Sequence, residues 1–284
     1  MTDASKYMRQ YRLIALDLDG TTMEGGQMPT PRVLAAIAAA QARGVYVVVA
    51  TGRGYHSASK YGAILGLTTP LVCFQGALVK ERTGEQATLL VEPLPREPLT
   101  ELVELAETRG LELNLYGEEC LYLSHTSQPL SFYELWFGMP IRRVPHLDYA
   151  LRDFDARGLT PLKGLFISEP EKGDRLYREL AERFAGRMTV LRSHPLFVEV
   201  ISPRASKGNA VAFLARHYGV DQAETIAVGD SGNDVSMVQW AGLGVAMGNA
   251  TPDVLAVADF IAPPVEQDGV ATVIEQFVLG NGHG

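Results

Sequence analysis

The sequence predicts an α/β protein with a Rossmann-like parallel sheet and an inserted α+β domain. Two stretches of the 284-residue chain, one at each end, alternate short apolar strands with helical segments, and the middle follows a different order. Strands without polar alternation are typical of a parallel sheet covered by helices on both faces. A chain of this length also suits two domains.

The N-terminal part contains three predicted strands and two predicted helices. The strands cover residues 12–16, 45–50 and 71–74, and the helices cover residues 31–43 and 57–65. Gly44 follows the first helix directly and is typical of a helix C-terminus.

The C-terminal part repeats this alternation. We predict helices at residues 207–218, 234–241, 252–258 and 270–278, with strands at residues 225–229, 244–247 and 260–261. The two ends would therefore form one core from residues 1–82 and 203–284.

The middle, residues 83–202, contains two rough copies of one pattern. Strands at 87–91, 111–116 and 121–124 surround a helix at 97–109, and strands at 162–167, 188–192 and 197–201 surround a helix at 173–184. Surface loops tolerate such insertions because their ends are close together. We expect this domain to open and close over the core, with hinges near residues 80–84 and 202–205.

Composition excludes several classes of protein. A formal net charge of -8 argues against non-specific nucleic-acid binding, which needs a basic surface. The two cysteines are too few for a disulfide framework, and the polar residues 1–10 contain no apolar signal core. No apolar run is long enough to span a membrane. We expect a cytoplasmic protein, and we expect it to be a monomer or homodimer.

Two carboxylates, Asp17 and Asp19, follow the first predicted strand within the run DLDGT. Carboxyl ends of parallel strands are where α/β proteins place their ligands. One carboxylate could attack phosphorus and the other could move a proton. A solvated acidic turn is the simpler alternative for this segment alone.

Two further segments offer groups that bind phosphate. Thr51, Gly52 and Arg53 follow the second strand, and backbone N–H groups at such a turn can hold phosphoryl oxygens. Lys207 opens a helix and could neutralise developing charge. Alone, the first could be a capped loop and the second a surface lysine.

The turn at residues 229–234, GDSGND, places Asp230 and Asp234 with an amide, Asn233, after another strand. Hard oxygen ligands of this kind suit Mg²⁺. An ordinary Asp-Gly turn is the alternative. The six histidines lack metal-ligand spacing, so no zinc site is expected.

Taken together, these motifs resemble the haloacid dehalogenase (HAD) superfamily, specifically its Cof-type phosphatases with a type IIB cap. The order Asp, Thr, Lys, Asp matches, the inserted middle matches the cap, and residues 244–250 and 266–271 resemble the end of Cof-type chains. The resemblance implies a Mg²⁺-dependent phosphatase that hydrolyses small phosphorylated metabolites, such as sugar phosphates, nucleotides or cofactor precursors, through an aspartyl-phosphate.

The resemblance also implies residue roles. Asp17 resembles the nucleophile and Asp19 the general acid and base. The implied metal ligands are Asp17, the backbone carbonyl of Asp19, Asp230 and Asp234, with Asn233 as the alternative to Asp234. Phosphoryl oxygens and substrate would be held by Thr51, Gly52, Lys207, Arg53, Gln75, Gly76 and Asn233. Arg53 has an equally good alternative, a salt bridge to the cap.

Some features stay open at this stage. Family members often carry Asn-Gly-Ala where this chain has Gln75-Gly76-Ala77, which changes the reach of any substrate contact by about one bond. A phosphomutase and a non-enzymatic phospho-receiver remain alternatives. Several cap residues could face the cleft but are individually better explained as structural: Asn114, Tyr116, His125, Tyr133, Trp136, His194 and Glu199.

Overall fold

The computed structural model describes residues 9–124 and 128–280, and these form fourteen strands and ten α-helices. The strands are β1 Leu13–Leu16, β2 Tyr46–Val49, β3 Leu71–Cys73, β4 Leu78–Lys80, β5 Thr88–Val91, β6 Leu113–Tyr116, β7 Leu121–Leu123, β8 Ile141–Arg143, β9 Lys163–Ile167, β10 Thr189–His194, β11 Phe197–Ile201, β12 Thr225–Gly229, β13 Leu243–Ala246 and β14 Phe260–Ile261. The helices are α1 Pro31–Ala42, α2 Tyr55–Ile64, α3 Arg96–Arg109, α4 Leu130–Phe137, α5 Leu147–Ala156, α6 Pro170–Arg183, α7 Lys207–His217, α8 Val235–Trp240, α9 Pro252–Leu255 and α10 Gly269–Phe277. None of the helices in these ranges combines the length and the apolar character that a bilayer span requires.

The core is a five-stranded parallel sheet in the order β14-β13-β12-β1-β2. Alternate side chains enter two apolar clusters: Leu16 and Val228 pack on the side of α1 and α10, and Ala15 and Ala227 on the side of α7 and α8. Both faces are therefore buried, which explains why these strands lack polar alternation. The predicted α/β core is confirmed.

A smaller antiparallel sheet, in the order β3-β4-β5, continues from this core. It joins β2 through a parallel bridge between Ala50 and Val72. The prediction that the strand at 87–91 surrounds the first cap helix is wrong, because this strand, β5, pairs with β4 instead. The strand β4 was missed because a three-residue run carries little periodic signal.

The inserted region forms a six-stranded sheet in the order β10-β11-β9-β6-β7-β8. Helices α3, α5 and α6 cover one face through a separate apolar cluster. On the other face, Tyr116, Leu165 and Phe197 join the same cluster as Phe74 of the core. The predicted inserted α+β domain is confirmed as a fold, while its boundaries at residues 83 and 202 stay a prediction.

Sequence reading missed α4, β8 and α5 in this region. The helix α5 buries Leu147, Ala150, Leu151 and Phe154, which is the ordinary spacing of an amphipathic helix. That signal was present between residues 147 and 154. The strand β8 has only one apolar residue, Ile141, and leaves Arg142 and Arg143 exposed, so periodicity could not reveal it.

The start of α7 is fixed by two local features. The Ser206 side chain caps the helix by accepting a hydrogen bond from the Asn209 N–H at 3.0 Å. Gly76 lies directly against this turn with φ at +94°, and a Cβ there would be 2.2 Å from the Ser206 carbonyl oxygen. Only glycine allows this approach.

We predict that Gly76→Ala destabilises the protein by about 2–4 kcal/mol, from the left-handed conformation plus the clash with Ser206. Gly84→Ala is the matched control, because Gly84 also has positive φ (+70°), while a Cβ added to it would meet no atom within 4 Å. The control should cost only about 1 kcal/mol. Urea unfolding of both variants measures the difference, and equal losses would contradict the proposed close approach.

Candidate active site

Two carboxylates meet at the carboxyl edge of the core sheet. Asp17 is the first residue after β1 and Asp230 the first after β12, and these strands pair in register with Leu16 opposite Val228. The Asp17 N–H donates to the Val228 carbonyl at 3.1 Å. Parallel pairing therefore brings together two motifs more than 200 residues apart in the sequence.

The Lys207 ammonium lies between two acids. Its Nζ is 2.6 Å from Asp17 Oδ1 and 2.6 Å from Asp234 Oδ1, and its side chain is 0% exposed. Burial acts to lower the pKa of Lys207, but the two carboxylates outweigh it and raise that pKa above its ordinary value. The structure thus holds a permanent positive charge against Asp17.

The acids around this lysine carry an excess of negative charge. One oxygen each of Asp17, Asp230 and Asp234 lie within 4.8 Å of one another. Burial raises the pKa of Asp17 well above its usual range, Asp234 and Asp230 raise it further, and Lys207 opposes them. Burial, followed by Asp234, raises the pKa of Asp230 to about 6.

This cluster fits a divalent cation. Three carboxylates facing a single ammonium leave uncompensated charge, and every donor is a hard oxygen. Mg²⁺ prefers such ligands and typically takes one or two protein carboxylates. Of the predicted metal residues, Asp17, Asp230 and Asp234 are therefore gathered, whereas the Asp19 carboxylate has another partner.

The loops around the cluster are fixed by polar contacts. Asp234 Oδ2 accepts the N–H groups of Asp230 at 3.0 Å and Ser231 at 3.1 Å. Thr21 Oγ1 donates to Asp230 Oδ1 at 2.6 Å. Thr21 belongs to the run DLDGT, but the sequence analysis predicted no role for it. Gly20, with φ at +84°, lets the first loop approach, since a Cβ there would be 2.5 Å from Asp230 Oδ2.

The sequence left the partner of the Arg53 side chain open. Its guanidinium binds both oxygens of Asp19, with Nε–Oδ2 at 2.7 Å and Nη2–Oδ1 at 2.6 Å. It also contacts Ser57 and stacks on the Tyr61 ring. The alternative of a salt bridge from Arg53 to the cap is therefore wrong, because the partner is an acid of the core.

The predicted phosphate-binding turn lies at the same edge of the sheet. Thr51 is buried, and its Oγ1 accepts the Arg53 N–H at 3.1 Å. Gly52 packs against Gln75 so closely that a Cβ would lie 2.4 Å from Gln75 Nε2. Gln75 Oε1 in turn accepts a hydrogen bond from Asn233 Nδ2 at 2.8 Å. Gln75 thus joins this turn to the acidic turn, which no sequence pattern indicated.

Two cap residues contact Gln75 and Gly52. Gln75 Nε2 donates to Glu199 Oε2 at 3.3 Å, and Lys163 Nζ donates to the Gly52 carbonyl at 3.2 Å. Glu199 was among the cap residues considered, but Lys163 was missed. The sequence signal for Lys163 was a single charged residue at the start of the apolar strand KGLFI. Of the other cap residues considered, His125 and the Trp136 side chain lie outside the described residues.

A family model described as haloacid dehalogenase-like hydrolase matches residues 14–274. The chain belongs to this family. Its layout of core and cap and its acidic sheet edge agree with this family, as the motifs predicted.

Several curated relatives of this HAD protein are named phosphatases. A putative phosphatase of Bacillus subtilis, YxeH, is 34% identical over 274 residues, which cover 95% of this chain and 99% of the relative. A second B. subtilis relative, the 5-amino-6-(5-phospho-D-ribitylamino)uracil phosphatase YitU, is 30% identical and covers 93% of this chain and 97% of its own length.

Solved structures show the same architecture. A haloacid dehalogenase-like hydrolase from Bacteroides thetaiotaomicron superposes with a TM-score of 0.80 at 28% identity, covering 94% of this chain and 99% of its own. A HAD subclass IIB sugar phosphatase, at 22% identity with a TM-score of 0.72, shares the fold over 94% of this chain and 98% of its own. The type IIB cap predicted from the sequence is therefore confirmed.

We predict that Lys207→Met lowers the free energy of unfolding by about 3–5 kcal/mol in chelator, because it leaves buried carboxylates without their cation. Lys172→Met is the control, since its pair with Glu169 is exposed, and it should change stability by less than about 0.5 kcal/mol. Urea unfolding in chelator measures both. A Lys207 variant as stable as the control would show that this ammonium does not stabilise the acidic cluster.

Proposed function

We propose that this HAD phosphatase is Mg²⁺-dependent and hydrolyses small phosphorylated metabolites through an aspartyl-phosphate on Asp17. The observation that carries this proposal is the buried Lys207 ammonium held against Asp17 beside two further carboxylates. A carboxylate kept next to a fixed cation is suited to attack an anionic phosphate group.

In the first step, a carboxylate oxygen of Asp17 forms a bond to phosphorus and the bond to the leaving oxygen breaks. Asp19 donates a proton to that oxygen, so the leaving group departs as an alcohol. In the second step, Asp19 takes a proton from water, and the water oxygen attacks the phosphorus. Inorganic phosphate leaves and the Asp17 carboxylate is restored.

The ion pair with Arg53 restrains the Asp19 carboxylate. The guanidinium occupies both Asp19 oxygens, so at least one of these hydrogen bonds must open before Asp19 can reach a leaving group. We therefore assign Arg53 the role of orienting Asp19 before substrate binds, and contact with the substrate phosphate once the pair opens.

Phosphoryl oxygens would be held by the Lys207 ammonium, the Thr51 hydroxyl and the Gly52 N–H. Asn233, linked to Gln75, would contribute from the opposite turn. Asp17, the Asp19 carbonyl, Asp230 and Asp234 would hold Mg²⁺. When bound, the ion would neutralise negative charge between the carboxylate and the phosphate.

The substrate class follows from the relatives and the cap. YitU is named for a phosphorylated ribitylaminouracil, which is a small molecule. In this chain the cap sheet lies over the phosphate-binding turn through Lys163 and Glu199. A cleft covered in this way suits a small phosphorylated metabolite.

We predict that purified protein releases phosphate from part of a panel of phosphorylated metabolites with Mg²⁺, and that chelator abolishes this release. Asp17→Asn removes the nucleophile and should abolish turnover. Asp19→Asn removes the proton donor and should lower kcat by about 10²–10⁴-fold. Phosphate release measures all three.

The outcomes of this panel are distinct. Full activity in chelator would remove the metal from the proposal, and full activity of Asp17→Asn would remove the aspartyl-phosphate. Turnover that requires a bisphosphate activator would indicate a phosphomutase instead. A phospho-aspartate that persists for hours without turnover would indicate a phospho-receiver.

We further propose that the cap, residues 83–202, opens around residues 80–84 and 202–205 to admit substrate. Ion pairs join these connections to their surroundings: Lys80 binds Glu118, and Arg204 Nε lies 2.7 Å from Glu92. Such contacts are accessible to solvent and can open at modest cost.

We predict that linking the cap to the core abolishes turnover, because substrate can no longer enter. Lys80→Cys and Glu118→Cys place thiols at a core residue and a cap residue whose side chains form an ion pair. A bis-maleimide should inactivate the double variant and leave each single variant active. Unchanged phosphate release by the linked protein would refute opening of the cap.

A further inference from the structure

One buried side chain of the cap has no hydrogen-bond partner among the described residues. Asn114 on β6 is 0% exposed, and within residues 9–124 and 128–280 neither its Nδ2 nor its Oδ1 has a hydrogen-bond partner. Burying an amide with both polar atoms unpaired is unfavourable, whereas a leucine of similar size would fit without this cost. Such a group calls for an explanation outside the apolar packing.

Asn114 lies on the cap face that covers the active site. Two residues along the same strand and on the same face, the Tyr116 ring lies 5.9 Å from the Phe74 ring of the core. Across the sheet, Asn114 pairs in register with Leu165, and Leu165 with Glu199. Residues opposite one another in a sheet share a face, so Asn114 and Glu199 point to the same side.

Glu199 connects this row to the active-site turns. Its Oε2 accepts a hydrogen bond from Gln75 Nε2, and Gln75 contacts both Gly52 and Asn233. Two strand spacings, about 10 Å, separate Asn114 from Glu199 along the row. Asn114 therefore lies in the same row of the cap sheet as Glu199, which contacts the phosphate-binding turn through Gln75.

Two opposite charges on this face, those of Lys163 and Glu199, compensate one another. Lys163 Nζ lies 3.4 Å from Glu199 Oε1, and both side chains are nearly fully buried. The pair is neutral as a whole, whereas the exposed Arg143 lies in the same row as Asn114, beyond Leu123, at the edge of the sheet. The amide of Asn114 instead offers a donor and an acceptor, which match a hydroxyl or an amide group.

We propose that Asn114 determines specificity by hydrogen bonding a hydroxyl or amide group of the leaving group, such as the polyol part of a sugar phosphate. This inference rests on the proposed function. Asn114 pairs its polar atoms only when such a leaving group is bound, so the cap favours these substrates over those with apolar leaving groups.

The test compares Asn114→Leu with wild-type protein in Mg²⁺, using hexose phosphates and sugar-alcohol phosphates against para-nitrophenyl phosphate. Loss of one or two hydrogen bonds should lower kcat/KM for the polyol phosphates by about tenfold or more. The value for para-nitrophenyl phosphate should change less than about twofold, since its leaving group has no hydroxyl to bind. The melting temperature should not fall, because an unpaired amide has been removed.

Leu115→Val is the matched control. Leu115 is the next residue of β6 and is buried against the cap helices on the opposite face. This variant should lower stability through a small cavity and leave the ratio between the two substrate types unchanged. If the leucine variant of Asn114 fails to fold, Asn114→Thr, which keeps one hydroxyl, should shift the ratio in the same direction.

Three outcomes would overturn the inference. One is an Asn114 variant with an unchanged substrate ratio, and another is a ratio shift of equal size in Leu115→Val. The third is a wild-type protein whose best substrate has a leaving group without any hydroxyl or amide. Wild-type protein inactive towards every ester would instead refute the proposed phosphatase function, and this inference with it.

Discussion

The buried ammonium of Lys207 is the interaction on which the rest of the site depends. It lies 2.6 Å from oxygens of Asp17 and Asp234, and all three side chains are almost entirely buried. Charges removed from water in this way are tolerated only when each finds its partner with good geometry. Strands β1 and β12 must therefore pair in their observed register, and helix α7 must begin beside them. Otherwise Lys207 would lose its hydrogen bonds to Asp17 and Asp234.

Close approach between loops is the second constraint, and it explains where glycine is required. Gly20 lets the first loop lie against Asp230, and Gly76 lets the third loop lie against Ser206 at the start of α7. Both have positive φ, so a side chain would meet steric conflict twice, in the backbone and in the neighbouring atoms. The acids and the lysine can converge only because these loops carry no Cβ at the points of contact.

The sequence by itself determined the α/β class, the inserted domain and the positions of the acids, because these depend on local signals. Apolar strands buried on both faces show no polar alternation, and a charge placed directly after such a strand must emerge at the sheet edge. Asp17 and Asp230 were predicted in this way and Lys207 from its place at the start of a helix, and the structure brings the three together. The helix α5 was equally readable but was overlooked.

Only the tertiary structure decided the partners of these groups. Arg53 binds Asp19 of the core, the strand at residues 88–91 pairs with β4, and Lys163 reaches the Gly52 carbonyl. Each contact joins segments distant in sequence, where one charged side chain has many possible partners of equal chemistry. Asn114 is the clearest case, because its amide is ordinary in the sequence and becomes informative only when burial leaves it without a partner among the described residues. Residue type and spacing set what a side chain can do, while burial and distance set what it does.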